Sequence, residues 1–402
     1  MSKIRHITSP AGFVAAGVKA GIKASGKEDV TIVAGLRDCD AAVVTTRNQV
    51  FGEPVRYVRS VLPKGCGTVR AMVVNSGCSN VCTGAKGFAD AKEMAAIAAG
   101  LLGTNKGKIL VASTGIIGHR LPMDKVRSGI KAAAAALSRD NDQAALRGIM
   151  TTDTREKYAL VQTRIDGKLV TVGGMVKGSG MIAPSLATMI GVITTDADIA
   201  PRALHQALTE AVGGTFNAIT VDSDTSTSDT VAVLASGQAG NKRITASAGP
   251  GYAKFAATLK EVCGELARAV VIDGEGATKL VEIAVCGARS DAEARVAAKS
   301  VADSPLVKCA IHGGDPNWGR IVCALGKSAA RVDPRRLRVW IGDVGVFARG
   351  MPLKFNVKKV QRHLAGKVVR IDCDLGLGGG CAAVLTCDLS REYIAINADY
   401  HT

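Results

Sequence analysis

Aromatic side chains are scarce in this 402-residue chain, with Phe, Tyr and Trp together making up only 3%. A surface that stacks unpaired bases needs such rings, so a single-stranded nucleic-acid binder is disfavoured. Acidic residues are also few: 35 Asp and Glu face 51 Lys and Arg, for a formal net charge of +16. Such a surplus attracts phosphates, acidic lipids or small anionic substrates alike. No dense basic tract accompanies it, and the nearest, "DPRRLRVW" at 333–340, contains an acid. The charge reads as a dispersed solvated surface, and no nucleic-acid partner is expected.

The eleven cysteines include no CxxC pair. Cys78 and Cys82 could share a helix face, but no second pair or His lies nearby to complete a tetrahedral zinc site. Buried, reduced thiols are the expectation, with no metal and no cofactor. "GLGGG" at 376–380 lacks the Lys-Ser/Thr of a phosphate-binding loop and reads as a turn. Long apolar runs are missing as well. Lys3, Arg5 and His6 precede one that Lys19 and Lys23 interrupt, so neither a signal peptide nor a membrane partner is expected and the chain reads as cytoplasmic. Residues 178–195 carry no charge, yet Gly178, Gly180, Pro184 and Gly191 break any helix there, and scattered hydroxyls would go unsatisfied in lipid.

What is present is Ala, Val and Gly in alternating patterns, 47% hydrophobic overall. Strand-like runs at 30–36, 41–46, 68–77, 108–115 and 231–236 alternate with helical ones at 90–103, 123–138, 201–214, 252–273 and 290–304, and the last segment reads β-rich. Asp90 with Glu93 is the expected start of the first of these helices. The order implies an α/β fold with a mixed sheet, and the absence of a low-complexity linker implies one continuous packing unit.

A hydroxyl nucleophile needs a base, and the six His residues sit in no Ser-His-Asp or G-x-S-x-G pattern. A chain cut before a Thr supplies another base, the new α-amino group, whose reference pKa of about 7.7–8.0 leaves it substantially neutral near pH 7. The stretch "KGSGMIAPSLATMIGVITTDA" suits such a cut, with bends at its glycines and proline and small Ala187 before Thr188.

That stretch resembles the signature of the ornithine acetyltransferase family, also called glutamate N-acetyltransferases. "STGIIG" (113–118), "MTTDT" (150–154), "FNAITVDSDTSTSDT" (216–230), "SPLVKCAIHGGDPNWGR" (304–320) and "EYIAINADYHT" (392–402) match in order, so the resemblance spans essentially the whole chain. It implies a mixed-sheet, layered α/β sandwich whose precursor cleaves itself at Ala187-Thr188 into two interleaved chains. An α chain of 1–187 would carry the oxyanion hole, Thr114 and Gly115, and a β chain of 188–402 the nucleophile, Thr188. Thr151, Lys177, Glu275, Asn397 and Thr402 match positions that, with Thr188, hold the family's amino-acid ligands. On the residues alone, Lys177 and Glu275 read as solvated charges and "STG" as a strand-ending turn.

The implied reaction moves an acetyl group from N-acetylornithine to glutamate through an acetyl-Thr188 intermediate, in arginine biosynthesis. Some family members also accept acetyl-coenzyme A, and the family assembles as heterotetramers of two α and two β chains. The alternative within the same chemistry is an N-terminal-nucleophile amidohydrolase or aminopeptidase that passes the acyl group to water. The chain departs from the family pattern at Ser185-Leu186, where Asn-Met is usual, at His312, and at Cys78.

Overall fold

The computed structural model describes residues 5–183 and 189–399. Two mixed sheets organise it. The larger contains β1 (Phe13–Val18), β2 (Val30–Thr45), β3 (Cys66–Cys78), β4 (Ile109–Ile116), β5 (Tyr158–Ile165), β6 (Lys168–Lys177), β7 (Ile190–Thr195) and β8 (Thr230–Ala235). Its order is β4-β3-β2-β8-β7-β6-β5, with β1 added antiparallel to β2. Only the β3–β4 and β7–β8 pairs are parallel in this sheet. The strands at 30–36 and 41–46 expected from the sequence are one long β2, whose register against β3 shifts between Ala34 and Cys39. A strand of this length crosses the sheet only by bending, and the shift supplies the bend.

The order of strands explains the uncharged stretch. β7 lies between β6 and β8 and is buried at all six positions. Ile190 and Val192 join the core that includes Ile149 and Leu146, whereas Ile193 points into the opposite core with Phe216 and Phe255. A strand covered on both faces admits no charge on either. Because β7 and β8 sit between β2 and β6, the segments before residue 184 and after residue 188 share one sheet and could not separate without breaking it.

The helices are α1 (Glu53–Val61), α2 (Gly84–Leu101), α3 (Met123–Ala135), α4 (Asp142–Ile149), α5 (Pro201–Gly214), α6 (Gly249–Ile272), α7 (Asp291–Ala302), α8 (Pro305–Gly313), α9 (Trp318–Gly326), α10 (Val357–Leu364) and α11 (Arg391–Asp399). α5 and α6 pack on one face of β6–β8, α4 on the other, and α1–α3 cover β2–β4. The start of α2 lies six residues before the expected Asp90, after Thr83 and at Gly84, whose φ of +61° suits glycine. Asp90 is instead a buried acid inside the helix that receives both Nη2 bonds of Arg120, at 2.8 and 2.9 Å.

The second sheet holds β9 (Leu280–Ala288), β10 (Arg338–Ile341), β11 (Val344–Ala348), β12 (Met351–Pro352), β13 (Val368–Asp374) and β14 (Gly380–Cys387), in the order β12-β11-β10-β13-β9-β14. Its aliphatic face packs on α7, α9 and α10. Cys286 and Cys381, on the neighbouring strands β9 and β14, form a disulfide, which corrects the expectation of wholly reduced thiols. A register shift between Gly380 and Ala382 sets Cys381 beside its partner. Of the remaining cysteines, Cys39, Cys78, Cys263, Cys373 and Cys387 are buried as expected, while Cys82, Cys309 and Cys323 are exposed. Among the described residues, no helix is long and apolar enough to cross a membrane.

Candidate active site

Thr114 and Gly115 lie at the end of β4, where its register against β3 becomes irregular. Gly115 pairs with Gly77 and has φ +126°, and a Cβ there would overlap the Gly77 carbonyl carbon. Only glycine fits, so the backbone of this turn is set by close contact of two strands. Asn75 braces the same end: its Oδ1 accepts the Ser113 hydroxyl at 2.6 Å and its Nδ2 donates to the Cys78 carbonyl at 2.9 Å.

Lys177 ends β6 and corrects the expectation of a solvated charge, since it is only 3% exposed. Its Nζ donates to Thr114 Oγ1 at 3.4 Å, bringing together two candidates 63 residues apart. Burial lowers its pKa, and the ammonium faces Asp153, Lys157, Glu275 and Asp229. With one long hydrogen bond among the described residues, the buried ammonium has donor capacity left for a carboxylate.

Asp153 ties the neighbourhood together. Its Oδ1 accepts from Lys157 Nζ at 2.6 Å and Gly178 N at 2.7 Å, and its Oδ2 accepts from Thr151 N at 2.9 Å. Burial opposes its ionisation, but Lys157 and Lys177 hold its pKa down at about 2. Lys157 also pairs with Asp273 at 2.5 Å, and the Asp273 carbonyl accepts the Ser179 hydroxyl at 2.6 Å. Thr151 and Lys177 are therefore held in register by one buried network.

Glu275 follows α6 and is half-buried, again unlike a fully solvated charge. Its N–H donates to the Ser179 carbonyl at 3.0 Å, and its carboxylate lies over Gly180, where any Cβ would overlap it. Asn397 Nδ2, from α11, donates to Glu275 Oε2 at 3.0 Å. Asn397 is thus paired with Glu275 and Thr114 with Lys177, Glu275 is among the charges that act on the Lys177 ammonium, and Thr151 joins through Asp153. Ala187, Thr188 and Thr402 lie outside the described residues.

Two acids in the "VDSDTSTSD" loop were not singled out from the sequence. Asp222 accepts the N–H groups of Met181 and Ile182 at 2.6 and 2.8 Å, and Asp229 Oδ1 accepts that of Met189 at 2.9 Å. Met181 itself has φ +56°, a left-handed conformation unusual for its type, which the Asp222 bond accompanies. The loop so grips the chain on both sides of 184–188. The available signal was Asp229 separated by one residue from the apolar run "VAVLA", next to a strand that buries all of its positions. Among the described residues, no group of three or more His, Cys, Asp or Glu could hold a metal ion.

The sequence profile of the ArgJ family matches residues 14–402. Across 398 residues the chain is 48% identical to the arginine biosynthesis bifunctional protein ArgJ of Symbiobacterium thermophilum, covering 98% of each chain. Its identity to the protein of the same name from Geobacillus kaustophilus is 43% over 396 residues, 98% of this chain and 96% of that one. The crystal structure of arginine biosynthesis bifunctional protein argJ from Bacillus halodurans aligns with a TM-score of 0.50 at 42% identity. That alignment covers 52% of this chain and 97% of the other.

Proposed function

Because this chain belongs to the ArgJ family, we propose that it is the acyltransferase of arginine biosynthesis that moves an acetyl group from N-acetylornithine to glutamate. The reading is carried by one observation, the convergence of Lys177, Thr114 and Glu275 beside the chain that flanks 184–188. An α-amino acid with a cationic side chain needs a cation for its carboxylate and an anion for its amino groups, and Lys177 and Glu275 have those signs.

In the proposed mechanism the chain cuts itself between Ala187 and Thr188, one water adding across the broken peptide bond to leave a carboxylate on Ala187 and a free amine on Thr188, and giving pieces of 1–187 and 188–402. Thr188 Oγ attacks the acetyl carbonyl carbon as its proton passes to the residue's own α-amino group. The C–N bond to ornithine breaks, and the proton leaves with the ornithine amine. Glutamate's amine then attacks the acetyl ester, Thr188 recovers its hydroxyl, and N-acetylglutamate departs. Thr114 and Gly115 stabilise the oxyanion of both steps. Since Lys177 donates to Thr114 Oγ1, the hydroxyl hydrogen of Thr114 is free to point at that oxyanion. Thr151, Asn397 and Thr402 complete the substrate contacts.

The half-length match of the Bacillus halodurans chain supports two pieces, and we propose two copies of each in a cytoplasmic heterotetramer. The relatives are named bifunctional, which makes acetyl-coenzyme A a second donor to assay. The test is to incubate the enzyme with N-acetylornithine and isotopically labelled glutamate. Labelled N-acetylglutamate is the expected product; release of acetate at the same rate with or without glutamate would make the protein a hydrolase instead.

A further inference from the structure

We infer that Lys157 is a positioning residue: its ammonium takes up the buried carboxylates of Asp153 and Asp273, and so leaves the Lys177 ammonium for the carboxylate of an amino-acid substrate. The inference rests on the proposed role of Lys177 as that carboxylate contact, and adds the residue that keeps the contact available.

Two lysines and two aspartates meet in this part of the interior. Lys177 is 3% exposed, and the side chains of Lys157, Asp153 and Asp273 are 1%, 0% and 2% exposed. An interior that only balanced its charges would give each lysine an acid. The contacts are unequal instead. Lys157 Nζ donates to Asp153 Oδ1 at 2.6 Å, lies 2.5 Å from Asp273 Oδ2 and donates to the Arg155 carbonyl at 3.3 Å, which uses all three of its hydrogens. Lys177 bonds neither aspartate; among the described residues its Nζ donates to Thr114 Oγ1 alone, at 3.4 Å.

The backbone holds these groups as neighbours. Val176 N donates to the Lys157 carbonyl at 3.1 Å and Gly178 N to Asp153 Oδ1 at 2.7 Å, so the residues on both sides of Lys177 are fastened to the 153–157 turn. Burial lowers the Lys177 pKa, the nearby Asp153 raises it and Lys157 lowers it, so both groups act on this ammonium. Without Lys157, a desolvated carboxylate would stand near a cation on a flexible four-carbon stem, and the two would pair. Every substrate carboxylate would then compete with Asp153. If that diverted arrangement held roughly nine molecules in ten, apparent affinity would fall about ten-fold.

Steady-state kinetics of Lys177→Met come first: an unchanged KM for N-acetylornithine overturns the reading of Lys177 itself, and this inference with it. With that KM raised, Lys157→Met is expected to raise KM ~10-fold while kcat falls by a smaller factor. Adding Asp153→Asn to Lys157→Met removes the competing charge and is expected to lower KM again, by about three-fold or more. The proposal is overturned if Lys157→Met leaves KM within two-fold of wild type, if its kcat falls by more than its KM rises, or if the added Asp153→Asn does not lower KM. Should Lys157→Met fail to fold, a crystal structure of the wild-type protein soaked with ornithine decides. The ornithine carboxylate on Lys177 Nζ, with Lys157 still on Asp153, supports the proposal; a carboxylate on any other group, or a Lys177–Asp153 pair, overturns it.

Discussion

Two buried lysines, one beside each sheet, are each 3% exposed and serve opposite ends. Lys308, packed against the second sheet, is saturated: its Nζ donates to the Val221 carbonyl at 2.7 Å, the Cys387 carbonyl at 2.6 Å and Thr386 Oγ1 at 3.0 Å. Lys177, at the end of β6 in the first sheet, has one hydrogen bond among the described residues, at 3.4 Å. The aspartates repeat the contrast. Asp388 accepts from Thr278, Lys279 and His312, whereas Asp229 has an oxygen with no partner among the described residues. A charge that serves only the fold is satisfied by the fold, and a charge held half-satisfied in the interior is placed for a ligand or a reaction.

Substitutions on the two sides should separate accordingly. Thr114→Val removes the hydroxyl next to Lys177 and is expected to lower kcat by ~10²–10³, the usual loss for one oxyanion donor. Steady-state kinetics with N-acetylornithine checks it, and a kcat within a few-fold of wild type would take Thr114 out of the oxyanion hole. Lys177→Met should raise KM for the amino-acid substrates ~10–100-fold, the value of about 1.5–3 kcal/mol for a charge-assisted hydrogen bond. Its thermal midpoint should not fall, because an apolar chain replaces a poorly paired buried charge.

Lys308→Met reverses that pattern. It leaves three buried acceptors without a donor and should lower unfolding free energy by about 1–3 kcal/mol, read by denaturant titration, with a smaller change in KM than Lys177→Met. The smallest effect concerns His6, buried and stacked on Tyr158 in the first-sheet region. Burial lowers its pKa from 6.5 to about 4, against the pull of Asp142. The unfolded chain thus binds the proton first, and stability present above pH 6.5 is lost as pH falls toward 4. On the order of 1 kcal/mol should disappear between pH 6.5 and about 5.5, and a His6→Phe variant should lack that slope in thermal melts.

Much of the architecture was readable from the chain itself. Helix Pro201–Gly214 has the bounds its pattern predicts, and the uncharged run after Met189 is an interior strand buried at every position. Local signals sufficed there because periodicity and stop residues are local. The start of α2, the single long β2 and the Cys286–Cys381 bridge were not legible, since each depends on partners distant in sequence. The site divides in the same way. Motif resemblance picked out Thr114, Lys177, Glu275 and Asn397, but not Asp153 or Asp229, whose significance lies in what they hold and leave open rather than in a spacing.

The central claim is that Thr188 carries the acyl group between two amino acids held by these half-satisfied charges. Mass spectrometry of enzyme mixed with N-acetylornithine, without glutamate, and quenched during turnover tests it most directly. The account predicts a 188–402 fragment heavier by one acetyl group, with the label on its first residue and lost when glutamate is added. An active enzyme whose fragment never carries that acetyl group, or carries it on another residue, would contradict it.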